Sequence, residues 1–202
     1  MLIYDDSFGA VMAASQRQAA ALGADVYGSE HILLGLLSAG GPLTEQVSSA
    51  DSGVSVDAVR QAVESAVDDA PHLQRLGVST VGTQAAAATP TPERMPRNRH
   101  TPELQASLNS ASAKVAHLRK TGQLPRERKV DSAVLWLAVL EPTARASKLL
   151  RAMGSDPDRV RGVVLCALAS PGAPTPLWPT EVRSGPVTRL VHWIFNRRST
   201  SA

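Results

Sequence analysis

The stretch that decides the fold is YGSEHILLGLL, residues 27–37. Gly28 breaks the preceding chain, and Ser29 is predicted to be an N-cap whose hydroxyl accepts a free backbone N–H at a helix start. Glu30 falls in the first turn, where the positive end of the helix dipole favours a carboxylate. Apolar residues then recur at helical spacing, which predicts a buried helix: Ile32, Leu33, Leu36 and Leu37.

Gly35 interrupts this apolar run. Glycine lowers helix propensity, so its presence inside a helix suggests a packing reason. Because Gly35 has no side chain, a neighbouring backbone could approach it closely. The sequence therefore predicts a packing role for this glycine, with a neighbouring backbone close to it.

The composition of the 202-residue chain favours close-packed helices, since apolar residues make up 43% and aromatic residues only 3%. No run approaches the roughly 18 apolar residues of a membrane span. No basic segment precedes an apolar run at the N-terminus, as a secretory signal would require. The single cysteine, Cys166, has no partner for an internal disulfide. We therefore expect a soluble, cytoplasmic, monomeric protein.

The net charge of +3 conceals an asymmetry between the two parts of the chain. Residues 1–89 hold ten acids and three arginines, whereas residues 90–202 hold eight acids and 18 Lys plus Arg. A basic half can indicate an anionic partner. It can equally be a solvated surface beside an acidic one. We favour the second interpretation, because the basic residues are spread out and are not interleaved with aromatic residues.

Helix signals recur along the chain. Ser55 is a predicted N-cap, and Thr101 is another, followed by Pro102 at the first helical position. Residues 70–99 are rich in Pro, Thr and Ala and indicate a linker. The predicted helices cover residues 8–22, 29 to about 40, 43–49, 56–67, 101 to about 120, 131–140, 144–153 and 156–168.

The second half of the chain repeats the first at an offset of 101 residues. Residues 53–67 and 154–168 share six of fifteen positions, and the same offset places Glu30 on Asp131. A constant offset across separate helices predicts two tandem four-helix units that bury a shared face as a pseudo-twofold globule. The predicted organisation is a first repeat over 1–69, a linker over 70–99, a second, degenerate repeat over 100–169, and a linker with a tail helix over 170–202.

Motifs for catalysis are missing from the sequence. It contains no P-loop, no HExxH motif and no cysteine cluster, so we expect no enzyme activity, cofactor or metal. Ser29 and His31 are two residues apart and do not face each other on a helix. We therefore interpret His31 as packed or capping, and Cys166 as a small buried apolar residue.

The repeat and the string YGSEHILLGLL together resemble the amino-terminal domain of Clp-type AAA+ unfoldases, the Clp N or double Clp repeat family. The resemblance covers about residues 4–168 and is strongest from Ala19 to Val67. It implies an all-α domain that binds peptides, client proteins or adaptor proteins. Since no ATPase module accompanies the repeats here, it implies a stand-alone binding protein of the Clp system.

In some family members each repeat binds phosphorylated arginine, the motif glutamate pairing with the guanidinium and a threonine helping to hold the phosphate. On that resemblance Glu30 and Asp131 are candidate carboxylate ligands and Thr101 a candidate phosphate ligand. Asp5 and Glu103 stand where the resemblance implies a threonine and a basic residue, which argues against phosphate binding. For Glu30, simple stabilisation of the helix dipole is the alternative role.

A second family surface is the groove between the first helices of the two repeats, which receives adaptors and cyclic peptides. The resemblance places five residues along it, besides Thr101: Val11, Met12, Gln16, His100 and Leu104.

We therefore expect a module that delivers clients, or that competes for ligands of a Clp unfoldase. The alternative is a nucleic-acid- or membrane-associated regulator that uses the basic second half and the amphipathic tail PVTRLVHWIFNRR, residues 186–198. For that tail, docking onto its own domain or partial disorder is at least as good an interpretation.

Overall fold

The computed structural model describes residues 3–24, 26–67, 100–125 and 129–182. These ranges contain eight α-helices, which bury the apolar residues whose spacing predicts helices. The predicted all-α class is therefore confirmed, while the predicted linker over 70–99 and the basic tail beyond residue 182 lie outside the described residues. The helices are α1 (Asp6–Ala21), α2 (Ser29–Ala39), α3 (Pro42–Ala50), α4 (Val56–Val67), α5 (Pro102–Lys120), α6 (Ser132–Val139), α7 (Arg145–Ala152) and α8 (Pro157–Leu168).

The core is built around α2 and α6, which pack against each other and carry almost continuous apolar sequence. In each of these helices the apolar residues are buried on all sides, as expected for a central helix. The fully buried residues of the two helices include Ile32, Leu33, Leu34, Leu36, Leu135, Trp136 and Leu137.

Helix α1 crosses α2 at Gly35, and its backbone lies close to this glycine, as the sequence predicts. A Cβ atom at Gly35 would lie 2.0 Å from Ser15 Oγ, 2.7 Å from the Ser15 amide nitrogen and 2.8 Å from the Val11 carbonyl oxygen. Two of these three atoms belong to the backbone of α1, which cannot move aside cheaply. Only glycine therefore allows this crossing.

Two parallel backbone pairings join the first half of the chain to the second. Strand β1 (Ile3–Tyr4), which leads into α1, pairs with β2 (Lys129–Val130), which leads into α6. In the same way His100, ahead of α5, pairs with Tyr27, ahead of α2. In both pairings a segment ahead of a helix in the first half pairs with a segment ahead of a helix in the second half. This arrangement is consistent with a pseudo-twofold tandem repeat.

The repeated sequence in α4 and α8 makes a repeated contact. Asp57 pairs with Arg60 in α4, and Asp158 pairs with Arg161 in α8, each three residues apart. The two arginines then differ, because Arg161 also donates to the Leu140 carbonyl oxygen at the end of α6, whereas Arg60 donates to Gln18 Oε1.

A segment after α8 returns to the body of the protein and covers a buried ion pair. Lys114 Nζ lies 2.8 Å from Glu141 Oε2, and both side chains are buried. The indole nitrogen of Trp178 donates to Glu141 Oε1 at 2.9 Å, and Lys114 Nζ lies 5.4 Å from the centroid of the Trp178 ring. Hydrogen bonds and the opposite charge compensate this buried carboxylate.

Cys166 departs from the sequence prediction. It is exposed on α8 and is not a buried apolar residue. Residues Val160, Val164 and Leu165 supply the buried face of α8, so the cysteine falls on the opposite side of the helix.

Candidate functional site

A cleft of about 770 Å³ lies where the start of α2 meets α4 and α7. We call it the α2–α4–α7 cleft. Its wall is mainly apolar, with four ionisable side chains besides His31. The lining residues are Leu22, Gly23, Ala24, Val26, Glu30, His31, Val63, Glu64, Ala66, Arg145, Lys148, Leu149 and Ala152.

Glu30 is the buried charge of this cleft. Its side chain is 9% exposed, and its Oε1 lies 3.4 Å from Arg145 Nη1. Its Oε2 is buried and accepts no hydrogen bond from any group in the described structure. A Cβ atom at Gly28 would lie 2.5 Å from Oε2, so the carboxylate rests against the backbone of that glycine. A buried acceptor without a partner costs free energy, so a donor that reached this oxygen would relieve that cost.

His31 fixes the start of α2 instead of acting as a base. The backbone N–H of Gly28 donates to His31 Nδ1 at 3.0 Å, which requires an unprotonated Nδ1 and places the ring proton on Nε2. Burial lowers the pKa of His31 below its usual 6.5; the Glu30 carboxylate opposes this shift, and Arg145 adds to it. The predicted packed or capping role of His31 is therefore confirmed.

Ser29 is the first residue of α2 and not its N-cap, which is Gly28, so that prediction is wrong. The hydroxyl of Ser29 acts across the two halves instead. It donates to Glu103 Oε1 at 3.0 Å and accepts the backbone N–H of Ala146 at 3.0 Å. Glu103 Oε1 also accepts the backbone N–H of Arg145 at 2.9 Å, which places a negative charge at the start of α7. The contacts of Ser29 and Glu103 thus hold Arg145 beside Glu30.

The other two candidate carboxylate-site residues do not line this cleft. Thr101 is the N-cap of α5: its Oγ1 accepts the backbone N–H of Leu104 at 3.2 Å. Asp131 is the N-cap of α6 and accepts the backbone N–H of Ala133 at 3.0 Å. Both side chains serve the helices they begin, whereas Glu30 lies inside its helix and makes no capping bond to it.

The predicted inter-repeat groove keeps only part of its lining. Val11 and Leu104 are 3% and 1% exposed and belong to the core, so neither can present a surface to a ligand. Met12 and Gln16 are partly exposed and His100 is exposed, with its Nε2 2.6 Å from Gln105 Oε1. The groove remains a prediction that depends on these three residues and Thr101.

Sequence reasoning did not identify Arg145 as part of a site. Its only signal is its place at the first position of a short helix, and no motif connects it to Glu30. Within the described ranges, no group of three or more His, Cys, Asp or Glu side chains could hold a metal ion. Nor is any helix in that part of the chain long and apolar enough to cross a membrane.

The helices and the mainly apolar cleft define an all-α domain with a cleft of the size that ligand pockets have. The family model for the Clp repeat (R) N-terminal domain matches residues 3–121, more than half of the chain. The chain therefore belongs to the Clp repeat N-terminal domain family, as the sequence resemblance suggests.

A solved structure shows the same fold. The chain is similar to the N-terminal domain of the caseinolytic protease associated chaperone ClpD from Arabidopsis thaliana, with a TM-score of 0.55 and 18% identity. The match covers 82% of this chain and 94% of that one. No curated protein matches this chain.

Proposed function

We propose that this chain is a non-catalytic docking module that binds peptides, clients or adaptor proteins of the Clp system through the α2–α4–α7 cleft. Membership of a protein-binding domain family supports the general role. The unpartnered carboxylate oxygen of Glu30 in an apolar cleft is the observation that supports this site.

The contrast between two buried carboxylates strengthens the case for Glu30. The carboxylate of Glu141 accepts hydrogen bonds from Lys114, Ser110 and Trp178, so both of its oxygens have partners within the fold. By contrast, Oε1 of Glu30 faces the exposed side chain of Arg145, and Oε2 accepts no hydrogen bond from the described residues. A carboxylate held in this way is preorganised for a cation, since a guanidinium can donate two parallel N–H groups to it.

The shape of the cleft indicates the rest of the ligand. A volume of about 770 Å³ accommodates a few side chains, within the range typical of ligand pockets. Val63 and Leu149 provide apolar contact on its walls. The proposed ligand is a peptide segment with an arginine or lysine next to an apolar residue.

Titration calorimetry with short peptides that carry arginine, lysine or glutamine between leucines tests this proposal. We expect the arginine peptide to bind, the glutamine peptide to bind weakly, and Glu30→Gln to lose about tenfold or more in affinity for arginine, since a charged hydrogen bond contributes about 1.5–3 kcal/mol. Glu64→Gln is the matched control, because Glu64 lines the same cleft from an exposed position on α4.

Two outcomes would contradict this role for the cleft. One is no binding across the peptide panel, and the other is equal binding by the wild-type protein and Glu30→Gln. We also expect no ATPase or peptidase activity from the purified chain. Binding to nucleic acid that falls steeply with salt would instead favour a regulator that uses the basic second half.

A further inference from the structure

We infer that Arg145 is a built-in occupant of the Glu30 carboxylate, which a cationic side chain of the partner must displace. The inference rests on the proposed function, because it concerns the affinity of the same cleft. It identifies Arg145 as a residue that sets how strongly the cleft binds a cation.

The ion pair between Arg145 and Glu30 is unequal. The arginine side chain is 57% exposed, whereas the glutamate side chain is 9% exposed. Arg145 can therefore leave along its flexible stem and keep its hydration, while the carboxylate stays against Gly28. An exposed arginine in such a pair contributes little to stability, so releasing it costs little.

The pairing is also incomplete. Arg145 approaches only Oε1, at 3.4 Å, which is longer than a normal charged hydrogen bond. Its backbone is fixed, because its N–H donates to Glu103 and it begins α7. The side chain of Arg145 therefore reaches the carboxylate from the Oε1 side and leaves Oε2 without a partner. A guanidinium that enters along the cleft is free of this restraint: it can approach Oε1 more closely, and it can pair with Oε2 once the carboxylate turns away from Gly28.

Arg145 opposes such a ligand in two ways. It occupies the acceptor that the ligand needs, and its positive charge repels a second cation a few ångströms away. The apparent affinity is the intrinsic affinity multiplied by the fraction of molecules in which the site is open. Removing the arginine should therefore tighten the binding of a cationic peptide.

The test uses the full chain and acetyl-Leu-Arg-Leu-amide as the probe, with binding measured by calorimetry at fixed ionic strength. We expect Arg145→Ala to bind the probe about fivefold more tightly than the wild-type protein, the upper end of what an exposed ion pair contributes. The matched control is Lys148→Ala, which removes the same charge from the same cleft and the same helix. We expect this control to change the affinity less than threefold.

A second variant pair tests whether Glu30 mediates the gain. In the background of Glu30→Gln, Arg145→Ala should improve binding no more than Lys148→Ala does, because the carboxylate that both cations compete for is gone and only the change in net charge remains. Circular dichroism and thermal melting check that each variant is folded. If Arg145→Ala fails to fold, Arg145→Gln removes the charge and keeps most of the stem, and it should show the same gain.

The outcomes separate this inference from the proposed function. If the wild-type protein and Arg145→Ala bind the probe equally, the cleft binds cations but Arg145 does not occupy it, and the inference fails alone. If Lys148→Ala gives the same gain, net charge and not occupancy is responsible, and the inference again fails. If neither protein binds, the proposed function fails as well.

Discussion

One residue in the middle of α2 and the residue aligned with it in α6 fill the space around them in opposite ways. The offset of 101 residues places Gly35 on Trp136. At Gly35 the side chain is absent and the backbone of α1 fills the space, whereas Trp136 fills its own space as the largest fully buried side chain of the core. The two helices that the offset aligns therefore differ in how closely their neighbours approach.

The starts of the same two helices differ in the use of their carboxylates. Asp131 stands outside α6 and accepts a backbone N–H as its N-cap. Glu30 stands inside α2, lines the α2–α4–α7 cleft and leaves one buried oxygen without a partner. At the same aligned position the carboxylate of the second half caps its helix, whereas that of the first half makes no capping bond and is the one that we propose for a ligand.

Substitution of Trp136 should have the largest effect on this comparison. Trp136→Ala leaves a cavity in the core and should lower the free energy of unfolding by about 3–5 kcal/mol, measured by urea denaturation. Trp136→Phe is the control: the indole N–H has no partner among the described residues, so its loss should cost less than about 1.5 kcal/mol. An alanine variant as stable as the phenylalanine variant would show that the indole is not filling space.

Gly35→Ala comes next, because its Cβ would overlap Ser15 and the Val11 carbonyl oxygen of α1. We expect a loss of about 1–3 kcal/mol, of which Ser15→Ala should restore only part, since two backbone atoms remain in the way. The control is Gly162→Ala on α8, where a Cβ meets nothing within 4 Å. That variant should gain roughly 0.5–1 kcal/mol from helix propensity. Equal effects at the two glycines would contradict the tight crossing.

Asp131→Ala and Glu30→Gln test the two helix starts. Loss of the Asp131 cap should cost about 0.5–2 kcal/mol, whereas Glu30→Gln should leave stability unchanged or slightly higher, because no cap is lost and a buried charge is removed. Thermal melting of both variants under one buffer condition measures the difference. A larger loss for Glu30→Gln would mean that Glu30 serves the fold and not a ligand.

The smallest effect concerns pH. Because the folded-state pKa of His31 is lowered, the unfolded chain binds the proton more readily, and the stabilising contribution of neutral His31 is present above about pH 6.5. It is lost as the pH falls from there towards the folded-state pKa. We expect His31→Gln to lose less stability than the wild-type protein between pH 7 and pH 5. Urea denaturation at both values measures this, and parallel curves for the two proteins would rule it out.

Local sequence signals predicted most of the fold. Thr101 with Pro102, the apolar period of α2 and the breakers around Gly40 act within a few residues, so helix ends could be read from them. Gly35 was informative because glycine is costly inside a helix. Cys166 was misassigned because periodicity in a short apolar helix does not fix which side faces the core.

The site was less accessible to such reasoning, because its contacts join distant parts of the chain. Ser29 bonds to Glu103 across 74 residues and to Ala146 across 117 residues. At this start the preceding Gly28 takes the cap position and His31 accepts its N–H, which leaves the Ser29 hydroxyl for the other half. The hydrogen bonds from the start of α7 to Glu103 and Ser29 place Arg145 next to Glu30.

The backbone pairings between the two halves have a consequence for the order of folding. The Ser132 amide donates to Ser7 Oγ across 125 residues, and the Thr101 amide donates to the Tyr27 carbonyl oxygen from the other half. Contacts this remote form late, since the entropy of closing long loops must be overcome first. During synthesis, residues 3–7 must therefore wait for the second half of the fold before they can form these contacts.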